Sequence, residues 1–446
     1  MHRVYSPSII NNVNYLAFFV IIVFIFFDGI RSNIVYNEYF SMIREGSLLY
    51  LILMISLSCN IKKRLIGYSV ILFISYHLLV SFFSFLLEGR VEIGFIVKPI
   101  EFVCAIYIFY YYEELTLRRR HRLYKQVIYV AIVFSIINTL LYFIPLPIWN
   151  RQEFWWGRIS CGYPTMDVVS LCYALVILLY KPNLIKKNWK KLTFSLIIII
   201  EILLNFSGTG MALLPLCLLP LIITTKVTIR NMVLLTLSIL IFVGAFFFVQ
   251  KRFPDELKAG MALTENKLAI MGGDDNVMNN TLKIRKQQFA SVENRHDDVT
   301  RIVGLGLNNL TMDLDRIGKD HYAYSIENQY DTLLMGYGYV GFALYLLMMV
   351  EYLLLIVYLP VISFIHKFML ILFIAIWTAN SYTIITLMIF PNMAFLALNL
   401  SEIFRLNKQL VIYKNPLVAK ALVIGAIKWK LTNEKDGHSY RLPLHR

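Results

Sequence analysis

With 446 residues, 58% of them hydrophobic, and a mean hydropathy of +0.63, the chain is too apolar for a soluble globular protein. Its net charge of +15 is spread over short Lys/Arg clusters between apolar runs, a topological signal that argues against nucleic acid as a partner. Of five cysteines, Cys59, Cys104, Cys172 and Cys217 lie in or at the ends of apolar runs and only Cys161 falls in a polar loop, which excludes a disulfide framework.

A spanning helix needs about 20 mainly apolar residues, because lipid leaves backbone groups no outside partner. The apolar runs are continuous rather than alternating, as in FFVIIVFIFF and SLIIIIEILL, so helices are expected and not a barrel. In chain order the expected spans are 9–27, read as retained rather than as a cleaved signal, then 48–59 with its flanks, 66–87, 93–112, 127–143 and 166–180. There follow 192–206, 211–225, 232–249, 332–359, 369–383 and 384–404, about twelve in all. The stretch 192–225 is short for two spans and long for one; the Asn205-Phe-Ser-Gly-Thr-Gly210 break with Lys on both flanks favours a hairpin.

Placing both termini in the cytoplasm puts every strong Lys/Arg cluster there: Lys62–Arg64, Arg118–Lys125, Lys181–Lys191, Lys226–Arg230 and the tail from Arg405. The stretches 28–45, 88–92, 146–164 and 250–330 then lie outside. The domain organisation expected is a first membrane domain (1–249), a large partly helical loop (250–330), a second membrane domain (331–404) and a basic tail (405–446). The tail carries nine basic and two acidic residues and reads either as an interfacial helix or as a solvated end.

The long polar interruption between Gln250 and Tyr330 organises the rest. A loop of this length is usually functional or disordered, and its turn glycines, Arg, His and interspersed apolar residues favour a folded cap. Two segments expected on the same face share a spacing: Arg151-QEFWWGRISC-Gly162 and Arg295-HDDVTRIVGL-Gly306, each with an inner arginine, Arg158 and Arg301. Guanidinium forks suit phosphate oxygens, and glycines permit close backbone approach. The bland reading of these arginines is contact with lipid headgroups, or pairing with Asp297 and Asp298. Where the loop meets the next helix stands Glu327-Asn328-Gln329-Tyr330, followed by Gly336, Gly338 and Gly341. Glu327 fits a general base for an acceptor hydroxyl, with His321 the alternative, although an acidic residue in a first helical turn is also favoured by the helix dipole. Lys98 and Glu101 share a helix face inside an apolar run, as a cavity lining or as a mutually satisfied pair. Glu201, Glu351 and His77 read as structural. No phosphate loop, HExxH or paired Cys-x-x-Cys is present, and no metal or other cofactor is expected.

These residues resemble the Wzy-type O-antigen polymerases, related to the O-antigen ligases. The likeness rests on the paired Arg/Gly segments, on Arg158-Ile-Ser-Cys-Gly-Tyr-Pro-Thr-Met-Asp167 entering a span, and on Gly304-Leu-Gly306-Leu-Asn308 followed by Glu327-Asn-Gln-Tyr330. The chain departs from the family pattern at Ser207-Gly-Thr-Gly210, where an Arg often follows the Ser; the ligases typically carry His at the position of Glu327. The resemblance implies an all-α polytopic protein of the bacterial inner membrane, with a C-type glycosyltransferase-like fold and a large periplasmic loop. It implies inverting, metal-independent joining of undecaprenyl-diphosphate-linked repeat units, with a chain-length regulator as a further partner. Arg151, Arg158, Gly162, Arg295, Arg301, Gly306, Asn308, Asn328 and Tyr330 would then bind substrate and Glu327, or His321, would take the proton. An O-antigen ligase and a twelve-span transporter or lipid-oligosaccharide flippase remain the competing expectations.

Overall fold

The computed structural model describes residues 7–31, 37–59, 68–88, 93–144, 164–181, 184–205, 292–294, 296–306, 329–359, 364–381 and 390–414, with isolated positions between 210 and 290. All regular structure among the described residues is helical. The helices are α1 (Pro7–Arg31), α2 (Asn37–Ser58), α3 (Tyr68–Glu88), α4 (Ile93–Tyr110), α5 (Tyr112–Thr116) and α6 (Arg120–Phe143). They continue with α7 (Pro164–Tyr180), α8 (Asn188–Leu204), α9 (Asp298–Val303), α10 (Gln329–Val357), α11 (Phe364–Ser381) and α12 (Phe390–Lys414). Among the described residues, five stretches are long and apolar enough to cross a membrane: Ile9–Gly29, Tyr39–Ser58, Tyr68–Leu86, Arg120–Tyr142 and Gln329–Val357.

α7 and α12 form the centre. From Val168 to Leu178 almost every side chain is buried, and the same holds from Phe390 to Ile403. α12 packs most extensively on α4, α10 on α3, and α7 on both α8 and α11. Helices at the rim show the reverse pattern: Leu49, Leu53 and Leu57 of α2, Leu72, Leu79 and Phe82 of α3, and Leu346, Val350 and Leu354 of α10 face outward. A continuous apolar exterior of this kind is a lipid-facing surface, since water would penalise it.

Three boundaries differ from the sequence expectation. The second span begins at Asn37, not near Leu48, so Arg44 and Glu45 belong to a helix and not to an outside loop. Ion pairing explains the miss: Arg44 reaches Asp28 at 3.1 Å and also binds Glu45, so charges that depress local hydropathy are neutralised. The span expected at 332–359 is broken, because Gly338 leaves helical geometry (φ 64, ψ −170) within α10. Helical character at scattered positions from 240 to 262 also crosses the expected loop boundary at Gln250.

Of the expected hairpin at 192–225, residues up to Asn205, Gly210 and residues 213–218 are described. A Cβ on Gly210 would lie 2.7 Å from Val168 Cγ1 and 3.2 Å from Ile202 Cγ2, which sets residue 210 beside the start of α7 and the end of α8. Toward the other end of α7, Tyr180 donates to the Cys217 carbonyl at 2.7 Å. From Gly210 to Cys217 the chain therefore advances along α7 in the direction opposite to α8. A missing Cβ at Gly210 is what permits this close helix approach.

Candidate functional site

One end of the bundle collects buried polar side chains, and a layer of aromatic contacts fixes which residues share it. Tyr173 donates to the Phe373 carbonyl at 3.2 Å and stacks on Phe395 with ring centroids 4.5 Å apart. One or two turns further toward the same end come Asp167 on α7, Asn380 on α11 and Asn392 on α12, all buried. Tyr330 donates to the Thr378 carbonyl at 2.9 Å, which brings Gln329 and Thr332, the buried polar residues of the first turn of α10, to this level. Among the described residues neither amide atom of Asn392 has a hydrogen-bond partner, although the side chain is fully buried. A buried amide left in that state is costly and is the kind of group a bound polar ligand satisfies.

The same end carries a chain of ionic contacts across α1, α2 and α4. Arg44 binds Asp28 and Glu45 and lies over the Phe390 ring, 4.8 Å from its centroid. Lys98 pairs with Glu101 at 2.7 Å. Three carboxylates, Asp28, Glu45 and Glu101, thus share this end with two cations, Arg44 and Lys98. Of the two candidate cavity residues, Glu101 is nearly buried and Lys98 about a fifth exposed, so the ion pair has its open side at Lys98. Sequence reading missed Asp28, Arg44 and Glu45; the available signal was the co-occurrence of both charge signs in stretches flanking short apolar runs.

The third feature is a docked loop segment. Asp297 opens α9 with a capping box: its carboxylate accepts from the Thr300 N–H at 2.7 Å while Thr300 Oγ1 accepts from the Asp297 N–H at 2.8 Å. The Thr300 N–H holds the Asp297 carboxyl below its usual range, and burial pulls the neighbouring His296 imidazole down. Beyond α9 the chain extends into the break of α10, where Leu305 N–H donates to the Met335 carbonyl at 3.0 Å and Gly306 N–H to the Gly336 carbonyl at 2.9 Å. The Tyr76 hydroxyl lies 2.9 Å from the Val303 carbonyl and 3.2 Å from that of Tyr337. In an unbroken helix the carbonyls of 335–337 would accept from 339–341, so α3 and the loop segment supply what the break removes. The fit demands glycine. A Cβ on Gly304 (φ 90) would meet the Gly336 oxygen at 2.2 Å, one on Gly338 would meet the Ile302 oxygen at 2.3 Å, and one on Gly306 (φ 83) would meet Ser84 Oγ at 2.5 Å. His77 of α3 adds a hydrogen bond to the Tyr337 hydroxyl.

Among the sequence-derived site residues, Arg301 projects from α9 and is exposed, with no ion pair to Asp297 or Asp298 among the described residues. Gly306 is the docking residue just described. Tyr330 is partly buried, edge-on to Phe342 and Tyr345. Arg151, Arg158, Gly162, Arg295, Asn308, His321, Glu327 and Asn328 lie outside the described residues, as does any meeting of the two Arg/Gly segments. Glu201 is buried and accepts from Asn138 at 2.7 Å and Thr139 at 2.5 Å, and Glu351 accepts from the Ser69 hydroxyl; these contacts tie helices together. Among the described residues no group of three or more His, Cys, Asp or Glu side chains is placed to hold a metal ion.

Fold and site together define an all-helical protein with helices suited to cross a membrane and a polar end closed in part by a docked loop segment. The chain matches no protein-family profile and no curated protein.

Proposed function

We propose that the protein is a membrane-embedded glycosyltransferase, an O-antigen or related surface-polysaccharide polymerase. It joins undecaprenyl-diphosphate-linked repeat units at the periplasmic face of the bacterial inner membrane, with both termini in the cytoplasm. The acceptor sugar hydroxyl attacks the donor's anomeric carbon with inversion. Its proton passes to Glu327, or to His321, and the C–O bond to undecaprenyl diphosphate breaks. Arg151, Arg158, Arg295 and Arg301 neutralise charge on the departing diphosphate, the term that most lowers the barrier in such a transfer. The buried Asn, Gln, Thr and Asp side chains at the polar end offer donors and acceptors to sugar hydroxyls.

The observation that carries this reading is the docking of residues 303–306 into the broken α10. It ties an arginine-bearing stretch of the long polar segment to the end of the bundle where the buried polar side chains collect. The direct test is incubation of the purified full chain with synthetic undecaprenyl-diphosphate repeat units. A ladder of longer lipid-linked products is expected, and its absence with verified substrate would overturn the proposal. Transfer to lipid A core without polymerisation would identify a ligase instead. A lipid-oligosaccharide flippase or other transporter is the second reading, favoured by the discontinuity at Gly338, since transporters place broken helices at their substrate sites. Movement of lipid-linked single units across proteoliposomes without ladder formation would support it.

A further inference from the structure

The opposite end of the bundle holds a second charged cluster that the proposed chemistry does not use. Glu402 of α12 is fully buried and is surrounded from three other helices and from its own. Arg120 Nε at the start of α6 lies 2.7 Å from one carboxylate oxygen, and Lys181 Nζ just after α7 lies 3.1 Å from the other. Arg405 contributes Nη2 at 3.1 Å, and His366 Nε2 of α11 is 3.7 Å away. Lys181 also sits 3.8 Å from the centroid of the Tyr124 ring.

Charge is not balanced here. Three basic side chains, Arg120, Lys181 and Arg405, surround one carboxylate. Glu113 is the next acidic group, and it accepts from the Arg120 backbone N–H at 2.7 Å. Counting it still leaves one cation unmatched among the described residues, and Arg118, Arg119, Arg122 and Lys125 crowd the same helix start. Leaving buried cations uncompensated costs several kcal/mol per ion, so the arrangement calls for a counter-anion. It also has an entrance. Arg120 and Glu402 are closed off, whereas the side chains of Lys181, His366 and Arg405 are 15%, 24% and 24% exposed. The Arg405 Nη1 has no partner among the described residues. The cluster lies at the boundary where helices meet their basic connections, the level of lipid phosphates.

We infer that the groove between the start of α6, the end of α7, the start of α11 and α12 binds a phosphate-class anion, whose most abundant source at this level is the phosphodiester of an anionic phospholipid. Lys181 and Arg405 reach the phosphate from the open side. Glu402, itself held by Arg120, fixes the two cations in place: the carboxylate takes the inward-facing donors and leaves the outward-facing ones for the ligand. The site stands independently of the glycosyl-transfer proposal.

The test is native mass spectrometry of the purified full chain released from nanodiscs that contain phosphatidylglycerol and phosphatidylcholine in equal amounts. Selective retention of phosphatidylglycerol is expected, reduced about tenfold in Lys181→Gln/Arg405→Gln, equivalent to about 1.4 kcal/mol. Retention should be unchanged in Lys186→Gln/Lys187→Gln, which removes the same charge from exposed positions. Lys181→Arg should restore binding, and Glu402→Gln, which removes the competing anion, should hold the lipid more tightly. Equal retention of both lipids, or selective retention surviving the Lys181/Arg405 change, overturns the inference, as does weaker binding in a folded Glu402→Gln protein. Inorganic phosphate is titrated separately against thermal unfolding in detergent. Stabilisation by phosphate together with no lipid selectivity assigns the same site to the free anion.

Discussion

Arg44 pairs with Asp28 where both side chains are nearly buried, and with Glu45, whose side chain is 42% exposed. Removing one member of a buried pair leaves an isolated charge, at a cost of about 3–5 kcal/mol. Arg44→Leu is therefore expected to destabilise the protein strongly, whereas Arg44→Leu combined with Asp28→Leu should recover a large part of that loss. Thermal unfolding of both variants in detergent measures the coupling; additive effects would show that the 3.1 Å contact contributes nothing. Arg301 is the opposite case. Its exposed side chain makes no ion pair among the described residues, so Arg301→Ala should leave abundance and unfolding temperature unchanged. On the proposed function it should reduce polymer formation at least about 100-fold, the scale of losing one preorganised charge partner. Long-chain glycan at normal level in that variant would remove Arg301 from the site.

At the scale of elements, the decisive one is the discontinuous α10. Its break is stabilised from outside by Leu305, Gly306 and Tyr76, and the close approach leaves no room for side chains at 304 or 338. Gly338→Ala combines a positive φ with a clash against the Ile302 carbonyl, and should cost about 2–3 kcal/mol and undock the segment. Hydrogen exchange at Leu305 and Gly306 reports this directly, with faster exchange expected in the variant. The same segment should respond to acid. The Asp297 carboxyl is held below its unfolded value by the Thr300 N–H, so its capping contribution is complete above about pH 4 and fades as pH falls through the lowered folded value. Lower protection factors across 298–303 on acidification, after correction for the intrinsic pH dependence of amide exchange and absent in Asp297→Asn, check the sign. The glycines themselves were legible in the sequence as sites of close approach, and so was the contiguity of Gly304, Leu305 and Gly306 with the second arginine segment. What they approach was not legible: Ser84 and Tyr76 lie more than two hundred residues away, and an apolar run does not disclose which of its positions carries a positive φ. The Glu402 cluster was hidden for a related reason, since its arginine partner on α6 is 282 positions away, and Glu402 reads in sequence as an ordinary end-of-span acid.

For the whole molecule, the two polar ends are separated along α12 by the twelve residues between Phe390 and Glu402, about 18 Å at helical rise. Arg44 and the buried Asn and Gln side chains gather at one, and the Arg/Lys-rich connections at the other. On the proposed orientation, the Glu402 end faces the cytoplasm and the docked loop lies outside. Everything downstream of residue 192 depends on whether the chain reverses before Lys226. The contacts of Gly210 with Val168 and Ile202, with Cys217 held by Tyr180 toward the other end of α7, require that reversal between Leu204 and residue 210. In a Cys161→Ser background, single cysteines at Lys187, Ser207 and Lys226 can be probed in intact cells with a membrane-impermeant maleimide. Ser207→Cys should label, while Lys187→Cys and Lys226→Cys should label only after the membrane is opened. Labelling of Lys226→Cys from outside would mean a single crossing between the two lysine clusters, would turn every later helix over, and would put the docked loop segment on the side opposite to the one that glycan assembly needs.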